Sequence, residues 1–325
     1  MKTRLLQFDL LKIIMCFMVV LIHNDLRGLF QDLSVPCFMF MSFYFSAEAI
    51  LNHDIDKIKK RIKRLLIPFY FWSILFYIGY YAASFVSDAC ARPTLRDLLM
   101  QLLTGFNEFS DFPLWYICAL IILLIVLTTI SYCAKSQSTY ILITYAFIIP
   151  ISLMLSYSGI NYTFWVDRSY TYGTLCNMII YAILGVTFYR FDLFNKFANV
   201  PSTLFSILTY MFIAKFDVIA TPSKAFRYDG LKLIVLTCLV MIVFYNLPVQ
   251  KLAEKIKSSI AFISKYIMGV FCIQWGFVFL INILKSKNII AENKFLEAVV
   301  VFAVSWITSY IISLLPFKWC KQLVE

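Results

Sequence analysis

Charge is scarce in this chain. Asp, Glu, Lys and Arg make up 14% of its 325 residues, against ~25% in soluble domains, which excludes an ordinary water-facing globular surface. Histidine is nearly missing: His23 and His53 are the only two, and no two of the nine cysteines form a CxxC pair. That shortage gives a zinc centre no ligand pattern to build on. Only nine glycines are present, so the Gly-interrupted broken helices typical of many transporters are not apparent. There is no G-x-S-x-G, P-loop or Rossmann glycine pattern, which leaves covalent serine catalysis and nucleotide hydrolysis without support. No internal repeat, low-complexity tract or attached soluble domain is visible.

What fills the chain instead is apolar. Hydrophobic residues reach 62% and mean hydropathy is +0.81, which over this length means many runs able to cross a bilayer. The aromatic load, 32 Phe, 20 Tyr and 6 Trp, suits interfacial belts and close helix packing. Most cysteines fall within apolar segments and read as small core residues, with Cys90 in a loop and Cys320 at the C-terminal edge. The fold class is therefore all-α: a polytopic membrane bundle of about ten transmembrane helices. The spans fall at about 8–29, 33–51, 65–86, 113–133, 139–157, 173–189, 200–219, 231–247, 260–284 and 295–317. Pro36, Pro68, Pro113, Pro201 and Pro248 read as markers of span ends, because proline lacks a backbone donor. Asp9 and Lys12 interrupt the N-terminal apolar run and no A-x-A site follows, so the first span reads as uncleaved.

Charge orients this bundle. With the N-terminus inside, the inner segments hold 18 of the 29 basic and seven of the 18 acidic residues. The outer segments hold eleven of each, so the whole net charge of +11 lies on the inner side, as the positive-inside rule expects. Both termini are then cytoplasmic, and the chain reads as one domain, 1–325, in the cytoplasmic (inner) membrane.

Within the first span, Lys12 and His23 are eleven residues apart. Eleven helical steps return to within about 20° of one face, roughly 16 Å along the axis. Two ionisable groups on one stripe in lipid point to a bundle interior or wet cavity. Neutral imidazole serves as a general base near pH 7, and burial favours that form. A histidine tied by one hydrogen bond, and a lysine reaching for headgroups, are the plain alternatives. Asn24 and Asp25 follow His23 as candidate orienting partners. The densest basic run, Lys57-Ile58-Lys59-Lys60-Arg61-Ile62-Lys63-Arg64, leads into the third span. Arg61 and Arg64 at i, i+3 share a face, and two guanidiniums there suit a phosphorylated ligand. Lipid headgroups would satisfy the same run.

Five segments in order give a resemblance. Gln7-Phe8-Asp9-Leu10-Leu11-Lys12 with His23, and Val35-Pro36-Cys37-Phe38-Met39-Phe40-Met41-Ser42-Phe43-Tyr44-Phe45, are the first two. Arg61-Ile62-Lys63-Arg64-Leu65-Leu66-Ile67-Pro68-Phe69, Leu114-Trp115-Tyr116 through Leu120 and Ser264-Lys265-Tyr266 through Gln274 complete the set. Together they resemble the integral-membrane acyltransferase-3 family, whose members O-acylate bacterial surface glycans and other acceptors. This chain carries Lys12 where the family has arginine, Phe43 in place of a glycine, and Gln274 in place of a late histidine.

The resemblance implies transfer of an acyl group, acetyl being expected, from cytoplasmic acyl-CoA to a hydroxyl of an extracytoplasmic glycan or lipid-linked sugar. It implies His23 as catalytic base and Arg61, Arg64 and Lys12 as contacts to the CoA phosphates. The pantetheine arm would rise along the first-span stripe, past Cys16, toward His23. Trp115, Tyr116, Ser42 and Gln274 are the implied substrate contacts, and Asp9 is expected to pair with Lys12 or an arginine. No metal and no nucleic-acid partner are expected; the bilayer is. Two alternatives stand: a transporter or flippase for a lipid-linked glycan, and a catalytically idle relative.

Overall fold

The computed structural model describes residues 4–26, 28–85, 92–105, 114–157, 171–216, 231–286 and 293–325. Among them every regular element is helical. Among the described residues eight helices are long and apolar enough to cross a membrane, and two shorter apolar helices, Met178–Arg190 and Val200–Phe216, overlap the remaining predicted spans. Pro113, Cys90 and the predicted span limits at 86 and 217–219 lie outside the described residues. The lipid-facing surface is explicit. Leu204, Phe205, Leu208, Met211 and Phe212 on one helix are each more than half exposed, a pattern no water-soluble helix sustains.

Three expectations are corrected. Pro68 does not end a helix but sits inside Ile55–Ala83. The first turns of that helix are the basic run itself, so Arg61 and Arg64 share a helix face as their i, i+3 spacing predicts. Pro68 has no N–H, which removes the helical donor that the Arg64 carbonyl would otherwise receive. The fifth span is not uniform: Gln137–Ile143 passes through a π-helical turn, Thr144–Ile148, into Ile149–Tyr157. Pro150 cannot donate to the ladder there, and Thr144 Oγ1 donates to the Tyr140 carbonyl at 3.0 Å. The predicted 260–284 span is two helices, amphipathic Glu254–Lys265 and apolar Ile267–Ser286, broken at Tyr266.

The chain divides into two compact units. Met1–Met15, Gly28–Lys59 and Ile122–Ala261 form the first; Cys16–Arg27, Lys60–Ile121 and Phe262–Glu325 form the second. In the first, an aromatic cluster gathers one set of helix ends. Phe8 meets Tyr44 at 5.8 Å and Phe194 at 5.3 Å, and Phe194 stacks on Tyr245 at 4.7 Å. Buried aromatics of this kind bring large apolar areas out of lipid and water alike and fix ring geometry.

The tightest contact in this unit is between Ser34–Leu51 and Thr171–Arg190, which run parallel. Gly185 lies against the Phe40–Tyr44 backbone: a Cβ there would collide with the Phe40 carbonyl oxygen and stand 2.9 Å from the Tyr44 nitrogen. The glycine that the second span lacks at Phe43 is thus supplied by its partner, since that Cβ would also lie 3.2 Å from the Phe43 Cβ. Small residues allow such backbone approach inside membranes. Gly185→Ala is expected to cost about 1–3 kcal/mol by overpacking, read as a lower melting temperature of the purified protein in detergent. An unchanged melt would mean the two helices can separate freely.

In the second unit, Ile267–Ser286 and Lys294–Leu314 form an antiparallel pair. Lys285 and Glu297 bridge one end at 3.1 Å, while Trp306 Nε1 donates to the Ile263 carbonyl at 3.2 Å near the other.

Candidate functional site

Six of the eight predicted site residues belong to the second unit: His23, Arg61, Arg64, Trp115, Tyr116 and Gln274. Lys12 and Ser42 belong to the first.

His23 is the last residue of the helix Leu6–His23, six residues short of the predicted span end at 29. The chain turns at once, with Asp25 at φ 58°, a backbone region that Asp tolerates better than most residues. The His23 ring is half-buried and meets Trp275 edge-to-face, with centroids 5.0 Å apart and planes at 71°. Trp275 is itself fixed, its Nε1 donating to the Tyr80 hydroxyl at 2.9 Å, while Tyr80 packs on Phe279 at 4.8 Å. An indole held at both edge and face leaves the imidazole a restricted choice of rotamers. Of the two expected orienters, Asn24 donates its side-chain amide to the Val20 carbonyl at 2.8 Å. Asp25 is exposed, with its carboxylate 4.0 Å from the Lys294 ammonium. Trp275 and Tyr80 went unpredicted, although Trp275 directly follows Gln274, where the matched segment stops.

Arg61 and Arg64 stand near the start of Ile55–Ala83, Arg61 half-buried and Arg64 exposed. Arg61 lies within electrostatic reach of both Tyr116 and Arg64. Two like charges one turn apart repel in the absence of an anion, and their five-donor forks suit a phosphate. Tyr116 is buried at 6% exposure and packs on Phe271 at 5.5 Å, whereas Trp115 is half-buried. Gln274 is fully buried; its Nε2 donates to the Phe271 carbonyl at 3.3 Å. Its Oε1 receives no hydrogen bond from any described residue, a costly state unless a ligand or water donates there.

In the first unit, Asp9 is buried and paired twice, with Arg4 and with Lys12, the latter at 3.2 Å. Arg4 also donates through Nη2 to the Ala261 carbonyl at 2.9 Å, and Lys12 lies over the Phe45 ring at 5.4 Å. The expected Asp9 pairing is therefore present, and the Lys12 ammonium is already engaged. Ser42 is half-buried, and its carbonyl accepts from the Ser46 hydroxyl at 2.7 Å. Cys16 is fully buried, its thiol 4.0 Å from the Ile267 carbonyl. The Cys16 thiol therefore sits among packed helices. Among the described residues no three His, Cys, Asp or Glu side chains form a metal-ligand set.

The family described as an acyltransferase domain matches residues 5–314 of the chain. Comparison with curated proteins and with solved structures gives no match.

Proposed function

Because the chain belongs to the integral-membrane acyltransferase-3 family and is a multi-pass membrane acyltransferase, we propose a donor, an acceptor and roles for its residues. The donor is cytoplasmic acyl-CoA, with acetyl as the acyl group. The acceptor is a hydroxyl of an extracytoplasmic glycan or lipid-linked sugar, and the whole of 1–325 acts as one transferase domain in the inner membrane.

The observation that carries this reading is the grouping of His23, Arg61, Arg64, Tyr116 and Gln274 in one compact unit. Arg61 and Arg64 suit the donor's phosphates by charge and by fork geometry. The bound donor supplies an acyl thioester. His23 takes the proton of the acceptor hydroxyl as that oxygen attacks the thioester carbonyl. A C–O bond forms and the C–S bond breaks; the departing thiolate is protonated by the imidazolium. Trp115 and Tyr116 contact the substrates, and the open Gln274 Oε1 accepts a hydroxyl donor from one of them.

The ten-span arrangement with cytoplasmic termini draws support from helix directions. Thr171–Arg190 runs parallel to Ser34–Leu51, as three intervening crossings require. Leu231–Tyr245 returns beside Val200–Phe216: Asn246 donates to the Thr203 Oγ1 and the Phe197 carbonyl, both at 2.8 Å. These directions support reading the two short apolar helices as crossings.

The test is a mass-spectrometric comparison of surface glycans from a strain lacking the gene and its complemented counterpart. A fixed acyl mass missing from an otherwise intact glycan is the expected result. Loss of the entire glycan would replace the reading with transport, and identical glycans would remove the proposed acceptor class.

A further inference from the structure

A cleft of about 410 Å³ in the first unit has no part in the chemistry above. Tyr44, Glu48, Asn52, Tyr189, Arg190 and Asp192 contribute most of its polar lining. It lies at a membrane boundary, because the spans Phe30–Leu51 and Gln137–Met154 and the apolar helix Met178–Arg190 all have an end there.

Its electrostatics favour a cation. Two acidic residues and one arginine line it, and the C-termini of Ser34–Leu51 and Thr171–Arg190 add partial negative charge from their last carbonyls. The opposing helix start at Gln137 is blunted by Ser136, whose Oγ accepts from the Thr139 amide at 3.1 Å. Asp192 is held ready: the Asn195 side-chain amide donates to its two carboxylate oxygens at 2.8 and 3.0 Å. The Tyr44 and Tyr189 rings stand edge-to-face at 5.9 Å and add the π-surfaces on which ammonium groups settle. A polyphosphate such as CoA is disfavoured by this balance, but one phosphate can still reach Arg190, whose guanidinium rests over the Phe191 ring at 5.7 Å. Beside the cleft, Phe45 and Phe191 are 44% and 41% exposed, apolar surface on which acyl chains can lie.

We propose that this cleft binds the headgroup of an aminophospholipid, its ammonium against Asp192, Glu48 and the two tyrosine rings and its phosphate against Arg190. The site is independent of the acyl-transfer reading and stands or falls without it.

Native mass spectrometry of the purified full-length chain tests it, with phosphatidylethanolamine and phosphatidylglycerol added in equal amounts. Phosphatidylethanolamine should be retained about tenfold better, the loss expected when one charge-assisted contact is missing. The isosteric double variant Glu48→Gln, Asp192→Asn should erase that preference at an unchanged melting temperature. Arg190→Gln should weaken both lipids alike, because it removes only the phosphate contact. Soluble glycerophosphoethanolamine should compete poorly. Equal retention of the two lipids by the native chain overturns the proposal, as does a preference that survives in the double variant. Competition by the soluble headgroup as strong as by the lipid would replace the lipid with a soluble ligand.

Discussion

Replacing His23 with alanine should lower acyl transfer by ~10²–10⁴-fold, the usual contribution of a positioned general base. The loss should appear in kcat, with the KM for acyl-CoA little changed, because in the proposed role the imidazole acts in the transition state and not in donor binding. His23→Gln should be as slow, since it keeps a polar group and removes the base. The ring is half-buried, not fully enclosed, so its removal exposes Trp275 without opening a large cavity, and the variant should reach the membrane folded. The Trp275–Tyr80 hydrogen bond lies behind the imidazole and survives the substitution. Initial rates in isolated membranes, normalised to the amount of folded protein, are the measurement. Rates equal to those of the native chain would falsify the general-base role.

The second large effect belongs to Arg61 and Arg64. Each guanidinium gripping a phosphate is worth ~1.5–3 kcal/mol as a charge-assisted hydrogen bond, or roughly 10–100-fold in affinity. Arg64 is exposed, so water and salt reduce its share; Arg61, half-buried and within electrostatic reach of Tyr116, should carry more. The double variant Arg61→Ala, Arg64→Ala is expected to raise the KM for acyl-CoA about 100-fold, with Arg61→Ala accounting for the larger part. Lysine at these positions should restore charge without the planar fork and recover only part of the loss. Equilibrium binding of CoA to the detergent-purified protein checks this directly. Native affinity in the double variant would dismiss the phosphate clamp.

Much of this architecture is legible in the sequence because membrane spans announce themselves by length, hydropathy and flanking charge. The pairing of Asp9 with Lys12 is also readable, since i, i+3 spacing puts them on one helix face. Local rules misled where a residue type has two uses. Pro68 reads as a terminus, yet a membrane helix tolerates it, because neighbouring helices and local adjustments meet the freed backbone groups. Nothing local in the sequence shows that Tyr116 is buried against Phe271, which is distant along the chain. No spacing rule pairs His23 with Trp275 or Tyr80, because their meeting depends on how three separate helices pack. The same holds for the cleft at Asp192, whose walls come from segments almost 150 residues apart.

The close seat of Gly185 on Phe40 has a consequence for how the chain is made. The two residues are 145 positions apart (185 minus 40). At ~5–20 residues per second of synthesis, roughly 7–30 s pass before the second span can meet the helix that covers it. During that interval Phe40 and Phe43, fully buried in the finished protein, face lipid or whatever factor attends insertion. Three later spans must enter the bilayer between the two without occupying that face. The order of biogenesis is thus constrained by one missing methyl group, and the second span is a waiting partner through much of translation.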